Sequence, residues 1–170
     1  SQQSNYEIPV AGCVDVTHVE RLFSFWEDQR VYCKCGTHNQ RISAKLVLEL
    51  SLPEQGGEEL TVGDLYLQYC LVSEGKLDGL NFSCSHCSTR KGRRRQRRVT
   101  GNPNILVLRV MRAVPGEGSL RRDRVRPELR LDGFGSMDLW AVIYHAGSSF
   151  SSGHYHAVVR GADGGFRQFD

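Results

Sequence analysis

Two groups of residues in this 170-residue chain have types and spacings suited to chemistry. The first lies near the C-terminal end. An apolar run over residues 138–145 leads to His145 and Gly147, a Ser-rich loop follows, and Gly153-His154-Tyr155 opens a second run that ends at Arg160. Phe166 to Asp170 closes the chain. A His at the mouth of a strand, beside a Gly that lets another backbone approach, suits a general base. A carboxylate on the neighbouring strand fixes its tautomer and orients the ring. The 16 residues from His154 to Asp170 are what a two-strand hairpin needs to bring both side chains to one end. The plainer alternative is that His154 is one of six ordinary histidines and Asp170 a terminal turn residue.

The second group is Cys33-Lys34-Cys35 with Cys84-Ser85-His86-Cys87. Two close pairs suggest a tetrahedral metal site more readily than a disulfide framework. The first pair is one residue tighter than the usual spacing, so its backbone must adapt. His38 and His86 are alternative donors, and four thiols packed without metal are the plainer outcome. Cys13 and Cys70 stand apart, as expected in a reducing compartment, cytosol or nucleus.

A third feature is charge. Net charge is +3, and Arg90, Lys91, Arg93, Arg94, Arg95, Arg97 and Arg98 supply seven positive charges in nine positions. The rest of the chain is mildly acidic, unlike a globally basic nucleic-acid binder. No aromatic interleaves the run to stack bases, which favours a solvated loop at a hairpin tip over RNA contact or nuclear import.

The elements that must position these residues follow from patterning. Hydrophobic residues make up 39% of the chain, enough for a core. No apolar stretch approaches the roughly 18–20 residues of a membrane helix. The N-terminus has no initiating Met and no signal-peptide pattern, and Asp170 follows Phe169 without a tail, so both ends look like cuts through a longer chain. Residues 14–26 form a short entry segment. Residues 41–50 alternate as a strand, and residues 61–71 form a helix opened by Thr61 and Asp64. Residues 104–111, 138–145 and 155–160 are further strands, and a tight turn over 161–165 leads into 166–169. One helix followed by many strands indicates an α+β piece built on an antiparallel sheet.

The ordered pattern His145-Ala146-Gly147, loop, Ser152-Gly153-His154-Tyr155, strand to Arg160, Phe166 and Phe169-Asp170 resembles the His box of the ubiquitin-specific proteases. Residues 48–53, 60–65, 74–77, 105–112 and 125–129 resemble further segments of that family in the same order, with Met111 and Ala113 replacing its usual Lys and Phe. The resemblance implies the antiparallel palm and finger portion of a papain-like cysteine protease domain without its helical thumb-like half. It makes residues about 30–100 the finger, with Cys33, Cys35, Cys84 and Cys87 on a structural zinc, and about 101–170 the His-box sheet. It assigns His154 as general base, Asp170 as its orienting partner, and Gly153, Tyr155, His145 and Gly147 as substrate-binding residues. Residues 148–152 become a gating loop. The implied activity is a thiol-dependent deubiquitinase acting on ubiquitin or a ubiquitin-like modifier, in cytoplasm or nucleus. Nothing in the chain resembles the family's Gly-Asn-x-Cys-Tyr box: Cys13 lacks the Asn and the aromatic. The chain alone is therefore expected to be inactive. The alternatives are a catalytically inactive modifier-binding or scaffolding protein and a zinc-stabilised RNA-binding module.

Overall fold

Both described helices start on the same device. Thr17 caps α1 (His18–Phe23) by accepting from the Glu20 N–H, while Glu20 takes the Thr17 N–H in return. Thr61 and Asp64 repeat the arrangement at α2 (Val62–Cys70), where the carboxylate also accepts from the Thr61 hydroxyl at 2.8 Å. Each box satisfies donors that a helix start otherwise leaves unpaired. The computed structural model describes residues 17–53, 59–71, 73–74, 84–89, 94–113, 120–132, 136–147, 149 and 152–170.

The strands in chain order are β1 (Phe25–Tyr32), β2 (His38–Lys45), β3 (Val47–Ser51), β4 (Leu60–Thr61), β5 (Ser73–Glu74), β6 (Arg94–Thr100) and β7 (Val107–Met111). Then come β8 (Val125–Arg126), β9 (Arg130–Leu131), β10 (Met137–Asp138), β11 (Ala141–Ala146), β12 (His154–Arg160) and β13 (Phe166–Phe169). An antiparallel sheet runs β2-β1-β6-β5, and another runs β11-β12-β13. The pairs β3-β7 and β4-β8 are parallel, so the fold is mostly, not wholly, antiparallel. A long stretch of chain containing α2 and β6 separates β3 from β7, which supplies the crossover a parallel pair needs.

Three expectations are corrected. The run 41–50 is two strands meeting at Leu46. β2 lies outside with no buried residue, whereas β3 alternates exposed and buried, with Leu48 1% and Leu50 0% exposed. The run 138–145 is likewise broken, at Leu139–Trp140. The basic residues from Arg94 on form no solvated loop: they are β6, hydrogen-bonded between β1 and β5. β1 pairs with β6 along the whole length of β6, and β5 with Arg94 and Arg95. Arg98 stands opposite Asp28, and the Arg97 guanidinium lies 4.6 Å over the Tyr69 ring of α2. Residues 90–93, like Cys13, lie outside the described residues.

The core forms where α2 meets these strands. Phe25, Leu48, Leu50, Leu65 and Tyr66 are buried together, with Leu52, Val99, Leu108 and Val110 packed against them.

Candidate active site and metal centre

β12 is the central strand of its sheet, and its register decides which side chains meet. Ala146 stands opposite His154, His145 opposite Tyr155, and Tyr144 opposite His156. On the other side Ala157 pairs with Phe169, which sets Asp170 beside His156. Successive side chains of a strand alternate between faces, so His154 and His156 share one face and Tyr155 takes the other. The hydrogen bond expected between Asp170 and His154 goes instead to His156: Nδ1 and Oδ1 are 2.6 Å apart. The cause is register, since His154 is diagonal to Asp170 and His156 is not. That bond, then one from the Gln168 side chain, holds the Asp170 carboxyl below the usual carboxylate range. The His154 and His156 rings meet edge to face, with centroids 4.6 Å apart. The donor atoms of His154, His156 and Asp170 all lie within 4.8 Å of one another. Sequence reasoning passed over His156, although two histidines at a spacing of two on a strand always share a face.

The other predicted residues assemble on the opposite face. The His145 and Tyr155 rings are 4.8 Å apart at 47°. A Cβ at Gly153 would collide with Nε2 of His145 and come within 2.9 Å of the Ala146 carbonyl. One at Gly147 would lie 2.8 Å from Cε1 of His145. Gly153 thus makes room for that imidazole, and Gly147 for it and for the Ser152 carbonyl, which would lie 2.5 Å from such a Cβ. Of the predicted loop, Ser149 and Ser152 are described, with hydroxyls 2.8 Å apart; residues 148, 150 and 151 lie outside the described residues.

The four cysteines converge at the far end of β1. The β1-β2 loop is tight: the Cys33 N–H donates to the Thr37 carbonyl at 2.8 Å, and the Gly36 N–H to Cys33 at 3.0 Å. Gly36 has a φ of +88°, a conformation that costs glycine little. This turn is how a one-residue spacing still aims both thiols at one point. The second pair sits on a turn in which the Ser88 N–H donates to the Cys84 carbonyl at 2.8 Å. Sγ of Cys33 is 3.6 Å from Cys87, and Sγ of Cys35 is 3.6 Å from Cys84. All four sulfurs lie within 4.8 Å of one another. Four thiolates about 2.3 Å from a tetrahedral ion stand about 3.8 Å apart, so this donor set fits a metal. The Thr37 hydroxyl, then backbone N–H groups of Cys87 and His86, draw the Cys84 thiol down to about 5. At Cys87 a backbone bond with Thr89 acts in the same direction. It is outweighed by burial and by the other three thiols, which leave Cys87 pushed up to about 12.

No protein-family model and no curated protein matches the chain. Solved structures do. A yeast SAGA DUB module carrying a mutant Sgf73 matches with a TM-score of 0.74 at 18% identity, over 89% of this chain and 36% of that one. The SAGA Ubp8/Sgf11/Sus1/Sgf73 DUB module bound to ubiquitin aldehyde matches with 0.71 at 17% identity, over 89% and 37%. The same module bound to monoubiquitin matches with 0.71 at 17% identity, over 89% and 36%. The chain thus spans little more than a third of the length of the chains it matches. What is common at this identity is the fold.

Proposed function

We propose that the chain carries the general base and carboxylate of a thiol-dependent deubiquitinase, an isopeptidase cleaving after the C-terminal Gly of ubiquitin or a ubiquitin-like modifier. The observation that carries the reading is the fold held in common with DUB-module chains, among them modules bound to ubiquitin and to ubiquitin aldehyde. In this reading the four-stranded sheet β2-β1-β6-β5 is the finger and the β11-β12-β13 sheet part of the palm. The nucleophilic thiol comes from outside the 170 residues. His154 accepts its proton, and the thiolate attacks the terminal Gly carbonyl carbon. His154 then returns the proton to the departing lysine amine, and water hydrolyses the thioester. Among the described residues both hydrogen bonds to Asp170 land on Oδ1, which leaves Oδ2 to turn toward His154. Tyr155, Gly153, His145 and Gly147 flank the modifier tail. Both edges of β12 are taken over Ala157–Val159, so an extended tail adds only nearer His154.

Cys33, Cys35, Cys84 and Cys87 hold a structural zinc that ties the β1-β2 turn to the 84–89 turn. The location that suits this reading is cytoplasm or nucleus, where thiols stay reduced. No described helix is long and apolar enough to cross a membrane.

The test is His154→Ala in a protein that joins this chain to a nucleophilic cysteine, assayed on a ubiquitin C-terminal reporter. Loss of the base should lower turnover by about 10²- to 10⁴-fold. Unchanged turnover would exclude the assignment. One observation favours a second reading, a modifier binder without catalysis: the carboxylate bonds His156 and not His154. Under that reading ubiquitin binding persists, and no reporter is cleaved by either form.

A further inference from the structure

We infer that His154, His156 and Asp170 form a binding site for a divalent transition-metal ion of the zinc class, separate from the four cysteines. The two imidazoles share a face because they are two apart on β12, and Asp170 is brought to them by the β12-β13 register. Their donor atoms lie within 4.8 Å of one another, and the 2.6 Å hydrogen bond between His156 Nδ1 and Asp170 Oδ1 has to give up its proton and open for a metal to take both. Nitrogen and oxygen ligands about 2.0–2.1 Å from a tetrahedral ion stand about 3.4 Å apart. The pairs therefore have to open or close by about an ångström. Side-chain rotation accommodates this, because His154 is exposed and the Asp170 side chain is 71% exposed. Two neutral imidazoles and one carboxylate are a donor set for zinc, cobalt or nickel and not for calcium or magnesium, which take oxygen. Three protein ligands leave the fourth position open to water. Little apolar surface encloses the site, so it is a weaker and more readily exchanging centre than four thiolates. His154 cannot hold a metal through its basic nitrogen and accept a thiol proton with it at the same time. The consequence that zinc silences hydrolysis rests on the protease reading; the metal site itself does not.

The experiment is a zinc titration of the full chain, freed of metal and kept reduced with a phosphine, followed by calorimetry and by the imidazole NMR signals. The cysteines take the first equivalent. A second, weaker equivalent should bind and shift the ring signals of His154 and His156. In His156→Gln, and separately in His154→Gln, the second equivalent should weaken by about tenfold or more, at least the loss seen for outer partners of metal ligands. The first equivalent should stay as it is, which reports that each variant remains folded. Should a variant fail to fold, the ring signals of the unmodified chain decide the matter alone. Binding of only one equivalent, or a second equivalent that leaves both rings unmoved, overturns the site. Metal binding to a cysteine-bearing protein that cleaves no reporter even when freed of metal would overturn the protease reading and leave the site standing.

Discussion

If the four cysteines bind zinc only in the folded chain, stability must follow free zinc with a slope set by the number of sites. A ligand bound by the native state alone adds RT ln(1 + [L]/Kd). One Cys33-Cys35-Cys84-Cys87 cluster therefore adds about 1.4 kcal/mol for each tenfold rise in free zinc above its Kd. For a chain of this length that is about 3–6 °C per decade in the thermal midpoint. The assay is thermal unfolding in metal buffers from strong chelation upward. Cys35→Ser removes one of the thiolates that sit 3.6 Å apart in pairs, and should flatten the response over the lower decades. Where the His154, His156 and Asp170 site also fills, the slope should double to about 2.8 kcal/mol per decade. A midpoint that stays flat from chelator to saturation would refute the reasoning, since the sulfur spacing would then be the packing of ordinary thiols.

Other outcomes are equally specific. Leu50→Ala, at a residue with 0% exposure, should lower unfolding free energy by about 3–5 kcal/mol in urea titration, while Leu129→Ala, at 69% exposure, should change it by no more than about 0.5 kcal/mol. Gly153→Ala should cost about 1–3 kcal/mol, because its Cβ meets the Ala146 carbonyl as well as His145; adding His145→Ala should recover part of that loss. Bonds from the Thr61 backbone, then its hydroxyl, depress the Asp64 pKa below the ordinary 3.8. Its contribution to stability is thus fully present above pH 3.8 and is lost as pH falls through the depressed folded value. Asp64→Asn should therefore show a smaller fall in stability over that acid window when unfolding is followed at successive pH values.

Much of this was legible in the residues. Thr61 and Asp64 announced α2 because a capping box is local chemistry. β11, β12 and the turn into β13 were legible because apolar runs and glycines punctuate them. The Cys pairs announced their convergence, though not the β1-β2 turn that makes the tight pair workable. β6 was not legible: Arg94-Arg95-Gln96-Arg97-Arg98 has no apolar alternation, and only long-range pairing with β1 makes it a strand. The break at Leu46 escaped for a related reason, since β2 and β3 share one local pattern and differ only in their distant partners. The Asp170 bond to His156 depended on a two-residue difference in register that spacing alone leaves open.

The parallel pairing of Val47 with Val107 has a consequence for biosynthesis. Leu48 and Leu50 gain their neighbours Leu108 and Val110 only when chain some 60 positions further along has left the ribosome. At about 5–20 residues per second this leaves an apolar ribbon waiting for about 3–12 s. Nascent chains of this protein therefore offer a chaperone a defined interval, bounded by the emergence of Val47 and of Met111, in which an unfinished edge is open to capture.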